Sequence, residues 1–596
     1  MCGFVAIIGE NQVCEDKLLS NMRDSLYHRG PNKGMNWKKQ YEEGSVSFGF
    51  RRLMIIDTSE NGSQPMFDEL EEIGIVFIGE IYNYKELKII LENKNYKFKS
   101  QTDTEVLINA YKEWGFDLVK YINGMYSFII WDSKRKKAFI ARDRFGEKPL
   151  YWTKLKNNTF VFSSEIKSML LHPEIKCEFN TDYVMKSLPI SSSETIFKNI
   201  FQFNPASLAI IDLKKPRLSI FKYWSSNLRP NLDISNSSAD LEFYKSYFYG
   251  LIYKSVNDRF NNCDVKVGLM LSGGIDSSLL AGLLSFDKKI DTFSVVFEDG
   301  QNDESEFINK TIKMINSNHF SIKPKLSDIL LSFRDVHIHQ ETINLGPSIT
   351  LEWILNEYAS SLGYRVLLSG QGGDELFGGY QDHQKMLIEY QKLVNQPDRA
   401  LTSRTEYDFK NYPEFNQNLI QLCKNYNSCF RGYLDFDINS LSLQNNVHFG
   451  DRSSMAHSIE LRHPYLDYNL FDVAKTLPDN FLIKDGYSKY LLRLIGKDNV
   501  KNIPWEIFDS KKKIGFELSD MFFNNKDYYK WIKNKLTRSS FKEYFPYQFQ
   551  VSNKLIDQNP KEITNTNLGW YYSSISELSD IFDKNEWNSS KNFISY

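Results

Sequence analysis

From Met1 to about Asp212 the chain is written in short apolar or alternating runs, among them Phe4–Ile8, Ser45–Phe50, Ile75–Ile78, Tyr126–Trp131 and Lys137–Arg142, each broken by Gly, Asn or Asp. Runs of this length between turn residues predict strands, so the first third reads as a layered, strand-rich unit. Around Asn227 to Ala239 the chain turns polar, with Pro230 and several Ser and Asn, and a linker is expected there. Beyond it, buried-strand patterns at Val265–Leu271, Ile290–Phe297 and Arg365–Leu368 alternate with helical stretches. That alternation predicts a parallel, doubly wound sheet with ligands at the carboxyl ends of its strands. From about Phe430 the pattern is mainly helical and rich in aromatics, including Trp570-Tyr571-Tyr572.

At 596 residues the chain is too long for one ordinary core. Its 73 basic residues nearly balance 75 acidic ones, and a formal net charge of −2 supplies no basic field for nucleic acid. Six cysteines lie scattered without metal-ligand spacing, which suits reduced thiols. The apolar start is short and soon meets Glu10, Glu15 and Asp16, so a signal peptide is not expected; nor does any apolar run reach the roughly 18 residues of a membrane helix. These features together predict a cytoplasmic protein that handles small molecules.

Two places carry chemistry. Removal of Met1 would leave Cys2 with a free α-amine, so that one residue holds a thiol nucleophile and an adjacent base. Farther on, Val265–Leu271 runs straight into Ser272-Gly273-Gly274-Ile275-Asp276-Ser277-Ser278, and Leu279–Leu284 continues as an apolar helix. Glycines let backbone approach a phosphate, serines donate hydrogen bonds, and a helix start offers free N–H groups to an anion. No Gly-Lys-Ser/Thr follows, which excludes the Walker loop.

Downstream of Cys2 come His28-Arg29-Gly30-Pro31, Arg52-Leu53, Ile55-Ile56-Asp57, Gln64-Pro65, Gly79-Glu80-Ile81-Tyr82-Asn83, Thr102-Asp103-Thr104-Glu105 and Ala141-Arg142-Asp143. In this order they resemble the glutaminase domain of class II glutamine amidotransferases, an N-terminal-nucleophile fold of stacked antiparallel sheets between helices. The resemblance implies that Cys2 is the nucleophile, that Gly79 offers an N–H to the oxyanion, that Arg52 grips the glutamine α-carboxylate, and that Asp103, with Glu80 nearby, receives its α-ammonium. A guanidinium fork suits a carboxylate and an anion suits an ammonium.

The Ser272–Ser278 turn resembles the pyrophosphate loop of ATP pyrophosphatases. With Asp303-Glu304-Ser305, Leu367-Leu368-Ser369-Gly370, Asp374-Glu375-Leu376-Phe377-Gly378-Gly379-Tyr380, Asp451–His457, Arg462–Asp467, Ser488–Arg493 and Lys513-Ile514-Gly515-Phe516, nearly the entire chain resembles glutamine-hydrolysing asparagine synthetase. That implies ATP held by Leu271, Ser272, Gly273, Gly274, Asp276, Ser277, Ser278, Ser369, Gly370 and Lys489. It also implies Mg2+ on Asp276 and Asp374, with Glu375 and Lys513 as weaker assignments. The expected units are 1–212 (glutaminase), 240–525 (α/β ATP-pyrophosphatase) and 526–596 (a helical extension packed on the synthetase unit). Glutamine, ATP and a small carboxylate, aspartate first, are the implied substrates, with ammonia passed through an interdomain tunnel. No nucleic-acid or membrane partner is expected, and a homodimer stays open.

Three departures bear on that reading. Ile78 stands where the family has an oxyanion-hole Asn, Gln371 stands where it has a Glu that handles ammonia, and His339-Gln340-Glu341-Thr342 replaces a stretch usually containing Asp-Glu-Pro. Gln371 cannot act as a base. An acceptor such as a sugar uronate, as in bacterial polysaccharide pathways, is therefore the alternative. A decayed scaffold and an ammonia-driven synthetase are the remaining readings; the first is opposed by the retention of Cys2, Arg52, Asp103, Asp276 and Lys489.

Overall fold

A computed structural model describes residues 2–9, 13–185, 193–228, 237–297, 305–344, 346–393, 413–511, 525–558 and 567–588. The linker core 229–236, the pair Asp303-Glu304 and Lys513 with its neighbours lie outside the described residues.

Two six-stranded antiparallel sheets form the N-terminal half. The first runs Phe201–Gln202, Tyr151–Lys154, Phe160–Ser163, Gly3–Ile8, Gly44–Arg52, Lys33–Tyr41. The second runs Ser219–Lys222, Ser207–Asp212, Lys137–Arg142, Gly124–Asp132, Ile73–Ile81, Met66–Phe67, so its pairing continues beyond Asp212. Gly3–Ile8 is covered on both faces, which is why it reads as an unbroken apolar run and not as an alternation. Phe4, Ala6 and Ile8 point between the sheets, where they meet Phe48, Val76, Ile78, Ile129 and Ile140. Val5 and Ile7 point outward against the helix Asp16–Asp24. The outer face of the second sheet is closed by the helices Tyr84–Glu92 and Asp103–Trp114. Stacked antiparallel sheets between helices agree with the expected N-terminal architecture.

The C-terminal half holds a five-stranded sheet, all parallel, in the order Asn318–Ile322, Asp291–Val295, Val267–Met270, Val366–Leu368, Glu460–Arg462. Three of these strands are the ones predicted. Asn318–Ile322 carries three polar residues among five, and Glu460–Arg462 is three residues of Glu-Leu-Arg; neither has the length or apolar content that marks a strand.

No simple joint separates the halves. One apolar cluster takes Leu53, Ile55, Tyr82, Met125 and Phe145 from the first half and Leu271, Leu279, Leu466 and Phe471 from the second. The helices Lys526–Leu536, Ser539–Tyr544, Pro546–Gln558 and Asn567–Asp583 join a second apolar cluster that draws on both halves. Trp570 meets Phe333 edge to face at 4.9 Å, while Phe582 stacks on Phe179 at 4.2 Å and Trp587 meets Phe197 at 5.2 Å. Among the described residues no helix is long and apolar enough to cross a membrane.

Glu577 anchors these last helices. Its buried carboxylate takes Arg538 at 2.9 Å, together with Lys535 and Arg334. Burial works against its charge, but Lys535 and Arg538 outweigh it and hold the carboxyl down to about 2. A depressed carboxyl stabilises the fold above its unfolded pKa of about 4.5, and the contribution disappears as pH falls from there toward about 2. Glu577→Gln is therefore expected to lose about 3 kcal/mol at neutral pH and to show a flatter loss of stability below about pH 4.5 than wild type, read by denaturant titration across that range.

Candidate active site

Cys2 opens the first strand at the rim of a cavity lined by Arg52, Leu53, Ile55, Ile56, Gly62, Gln64, Phe77, Gly79, Glu80, Thr102, Asp103, Thr104 and Glu460. The Leu53 N–H donates to Cys2 Sγ at 3.4 Å, and Arg29 Nε holds the Cys2 carbonyl at 3.2 Å. Burial pushes the thiol above its ordinary pKa, so the resting group is protonated.

Arg52 enters on the strand Gly44–Arg52, and two of its N–H groups fix the guanidinium plane by donating to Ser59 O at 2.6 Å and Asp57 O at 2.5 Å. Asp103 starts the helix Asp103–Trp114, which Thr102 caps by accepting from the Glu105 N–H at 3.3 Å. Its Oδ2 accepts the Ile81 N–H at 3.0 Å. Burial, and then Glu460 nearby, overcome that hydrogen bond and push the Asp103 carboxyl up to about 7. Gly79 sits at φ +126°, and a Cβ there would stand 1.9 Å from the Met125 carbonyl, so only glycine fits. Glu80 is buried, with Oε1 3.2 Å from Arg462.

Ile78 is fully buried in the apolar cluster between the sheets. Arg142 and Asp143 organise a loop and do not line this cavity: Asp143 accepts the N–H groups of Phe145, Glu147 and Lys148, each at 3.0 Å, while Arg142 donates to the carbonyls of Gly146, Lys148 and Phe203.

The second constellation stands at the carboxyl end of the parallel sheet. Central strand Val267–Met270 leads through Leu271, which is buried, to the turn and the helix Ile275–Leu284. Ser272 and Ser277 brace the turn: Ser277 Oγ accepts the Ser272 N–H at 3.1 Å, and Ser272 Oγ accepts the Gly274 N–H at 3.3 Å. Gly273 takes φ +86°. Among the described residues the buried Ser278 hydroxyl has no hydrogen-bond partner.

Ser369 and Gly370 follow the neighbouring strand Val366–Leu368 and run beside this turn; a Cβ on Gly370 would lie 3.0 Å from the Ser277 nitrogen. Lys489, buried at the start of the helix Tyr490–Asn499, places its ammonium between Asp276 and Asp374, the latter at 2.8 Å. Burial disfavours its charge, yet the two carboxylates outweigh burial and raise it above the ordinary lysine range.

Glu375 turns away from that cluster, accepting from Tyr380 Oη at 2.8 Å, and burial pushes it up to about 7. Gln371 is half-buried beside Ser369. Among the described residues no group of three or more His, Cys, Asp or Glu could hold a metal by itself. Asp276 and Asp374 fit Mg2+ in another way, since that ion commonly takes one or two carboxylates and completes its shell with phosphate oxygens and water.

The altered 339–342 segment lies at the seam between the halves. Glu341 accepts the N–H groups of Ile166 at 2.8 Å and Lys167 at 2.7 Å and pairs with Arg452 at 2.8 Å. His339 packs against His28, centroids 4.7 Å apart. Glu460 carries no signal in the sequence, because nothing in Ile459-Glu460-Leu461-Arg462 marks a strand of the parallel sheet that reaches the thiol cavity.

A thiol at the mouth of a sheet-walled cavity, followed by a serine-glycine turn on a parallel sheet, places the protein among two-domain amidotransferases. Comparison with known proteins agrees: residues 1–224 match the glutamine amidotransferase domain and residues 248–568 match asparagine synthase. The glutamine-hydrolyzing asparagine synthetase 1 of Bacillus subtilis (strain 168) is 30% identical over 600 residues, covering 91% of this chain and 91% of its own. Asparagine synthetase 2 of the same strain is 31% identical over 530 residues, covering 83% and 69%. Asparagine synthetase 1 of Arabidopsis thaliana is 26% identical, covering 81% and 72%. The chain belongs to the asparagine synthase family, a family of glutamine-dependent carbon–nitrogen ligases.

Lys489→Met removes the cation that both carboxylates face. ATP-to-AMP turnover is expected to fall about a hundredfold to a thousandfold, measured with ammonium as nitrogen source, while glutamine hydrolysis in the same preparation persists.

Proposed function

We propose that the protein hydrolyses glutamine at Cys2 and uses the released ammonia to amidate a carboxylate activated by ATP, with aspartate the first acceptor assigned. The observation that carries this reading is the convergence of Cys2, Arg52 and Asp103 on one cavity, in a chain whose other half sets Lys489 between Asp276 and Asp374.

The Cys2 α-amine freed by loss of Met1 takes the thiol proton, which burial otherwise retains. Sulfur attacks the carboxamide carbon of glutamine, the carbon–nitrogen bond breaks as the amine returns its proton, and ammonia leaves. Water then hydrolyses the thioester to glutamate. Arg52 and Asp103 select a free amino acid by its two charged ends. The Gly79 N–H faces the developing oxyanion without the side-chain donor that Ile78 lacks, so this half-reaction is expected to be slow.

In the second half the acceptor carboxylate attacks the α-phosphorus of ATP and pyrophosphate leaves. Ammonia attacks the acyl-adenylate and AMP departs. The Ser272–Ser278 turn and Ser369-Gly370 hold the phosphates and nucleotide, and Lys489 stabilises charge on the departing group. Mg2+, held by Asp276 and Asp374, would neutralise phosphate charge there. The ammonia passes between the two halves, which share one apolar cluster.

Gln371 supports a second acceptor, a sugar uronate, because an amide replaces the acidic group expected to manage the incoming ammonia. The changed 339–342 segment is the second support for that acceptor; within it Glu341 binds the Ile166 N–H and Arg452 at the seam.

The test is incubation with amide-labelled glutamine, ATP, magnesium and a panel of carboxylic acids, with AMP and labelled amide identified by mass spectrometry. Aspartate is expected to give labelled asparagine, and labelled uronamide in its place would establish the second acceptor; AMP from no acid in the panel would end the reading. Cys2→Ala is expected to abolish labelled product from glutamine while leaving the ammonium-driven reaction intact, and unchanged labelling would remove Cys2 as the nucleophile.

A further inference from the structure

Among the described residues, all but one of those walling the thiol cavity come from the first 104 positions; the exception, Glu460, comes from the edge strand of the parallel sheet. Glu460 is fully buried and accepts from Arg462 Nε at 2.6 Å. Arg462 is held rigidly, donating through Nη1 to the carbonyls of Arg259 at 2.6 Å and Asn262 at 3.0 Å, while its other terminal nitrogen lies 3.2 Å from Glu80.

Three carboxylates, those of Glu80, Asp103 and Glu460, thus border one cavity, and Arg462 is divided between two of them. The groups that feel Glu460 are Cys2 on the first strand, Glu80 and Tyr82 at the end of Ile73–Ile81, Asp103 at its helix start, Cys263 after the helix Ser238–Asn261, and Arg462 on its own strand. Glu80 Oε2 is buried and accepts no hydrogen bond among the described residues. Burial first, and Glu460 among the neighbouring charges, raise the carboxyls of Glu80 and Asp103. Like charges this close and this dry do not all ionise without a further cation.

We propose that Glu460 is a positioning residue for glutamine supplied by the synthetase half: together with Glu80 it draws the substrate's α-ammonium to Asp103, completing a pocket that the N-terminal half leaves open. This rests on the glutamine reading above. A protonated Asp103 cannot pair with an ammonium, so the KM for glutamine should rise as pH falls through about 7.

Glutamine-driven and ammonium-driven AMP formation are compared in the full chain, wild type and Glu460→Gln, from about pH 5.5 to about pH 9. In Glu460→Gln the high-pH plateau of KM should rise about fivefold, because part of the attraction for the ammonium is gone. The midpoint of the low-pH rise should move down by about one pH unit, because the like charge that kept Asp103 and Glu80 protonated is removed. The kcat for glutamine and the ammonium-driven rate should stay near wild type. Glu460→Asp keeps the charge but withdraws it by one methylene, so it should raise the plateau and leave the midpoint in place; this variant carries the test if the amide fails to fold. An unmoved midpoint and plateau in Glu460→Gln, an unmoved plateau in Glu460→Asp, or equal losses with glutamine and ammonium would overturn the proposal. A wild-type protein that hydrolyses no glutamine would instead remove the reading beneath it.

Discussion

Arg29, Lys167, Arg452, Glu165, Glu341 and Asp451 carry their charges where solvent does not reach, and they lie on both halves of the chain. Arg29 bridges Glu165 and Asp451, each at 2.9 Å; Arg452 bridges Glu165 at 3.0 Å and Glu341 at 2.8 Å; Lys167 adds a third cation to Glu165 at 2.8 Å. Stranding one member of such a network costs about 3–5 kcal/mol, so the halves dock in one arrangement or lose several such contacts together. His28 lies 2.9 Å from Glu165, but burial pushes its pKa down to about 4, so near neutrality it contributes a hydrogen bond and no charge.

That fixed docking gives the thiol cavity its composition. Were the halves free to separate, Glu460 would leave the wall of the glutamine pocket and Arg462 would leave Glu80. The same seam explains the 339–342 segment, where Glu341 binds the start of the helix Ile166–Met169 and the guanidinium of Arg452. A sequence change in that segment is therefore read by the neighbouring half. The terminal helices reinforce the arrangement, because Phe582 and Trp587 lean on Phe179 and Phe197 while Trp570 leans on Phe333.

Much of this was legible in the chain. The strands Gly3–Ile8, Ile73–Ile81, Gly124–Asp132 and Lys137–Arg142 advertise themselves because both faces are covered, leaving apolar runs cut by turn residues. The turn at Ser272–Ser278 follows its strand at once and opens a helix, so its place at the carboxyl end of the sheet follows from local spacing alone. Glu460–Arg462 was not legible: a three-residue strand of Glu-Leu-Arg becomes one only because Val366–Leu368 lies beside it. Glu375, adjacent in sequence to Asp374, turns to Tyr380 while Asp374 turns to Lys489, a divergence that residue order does not reveal.

The sequence by itself determined most of the elements and most of the side chains that carry chemistry, since strand burial, turn glycines, a penultimate cysteine and a serine-glycine turn are all short-range signals. Only the tertiary structure decided which charges share a space. The meeting of Lys489 with Asp276, of Glu341 with Arg452, and of Glu460 with the thiol cavity joins residues separated by 111 to more than 400 positions. Such pairings are set by how the sheets dock, and in a dry seam the energy of each charge depends on its neighbours in space, not on its neighbours in the chain.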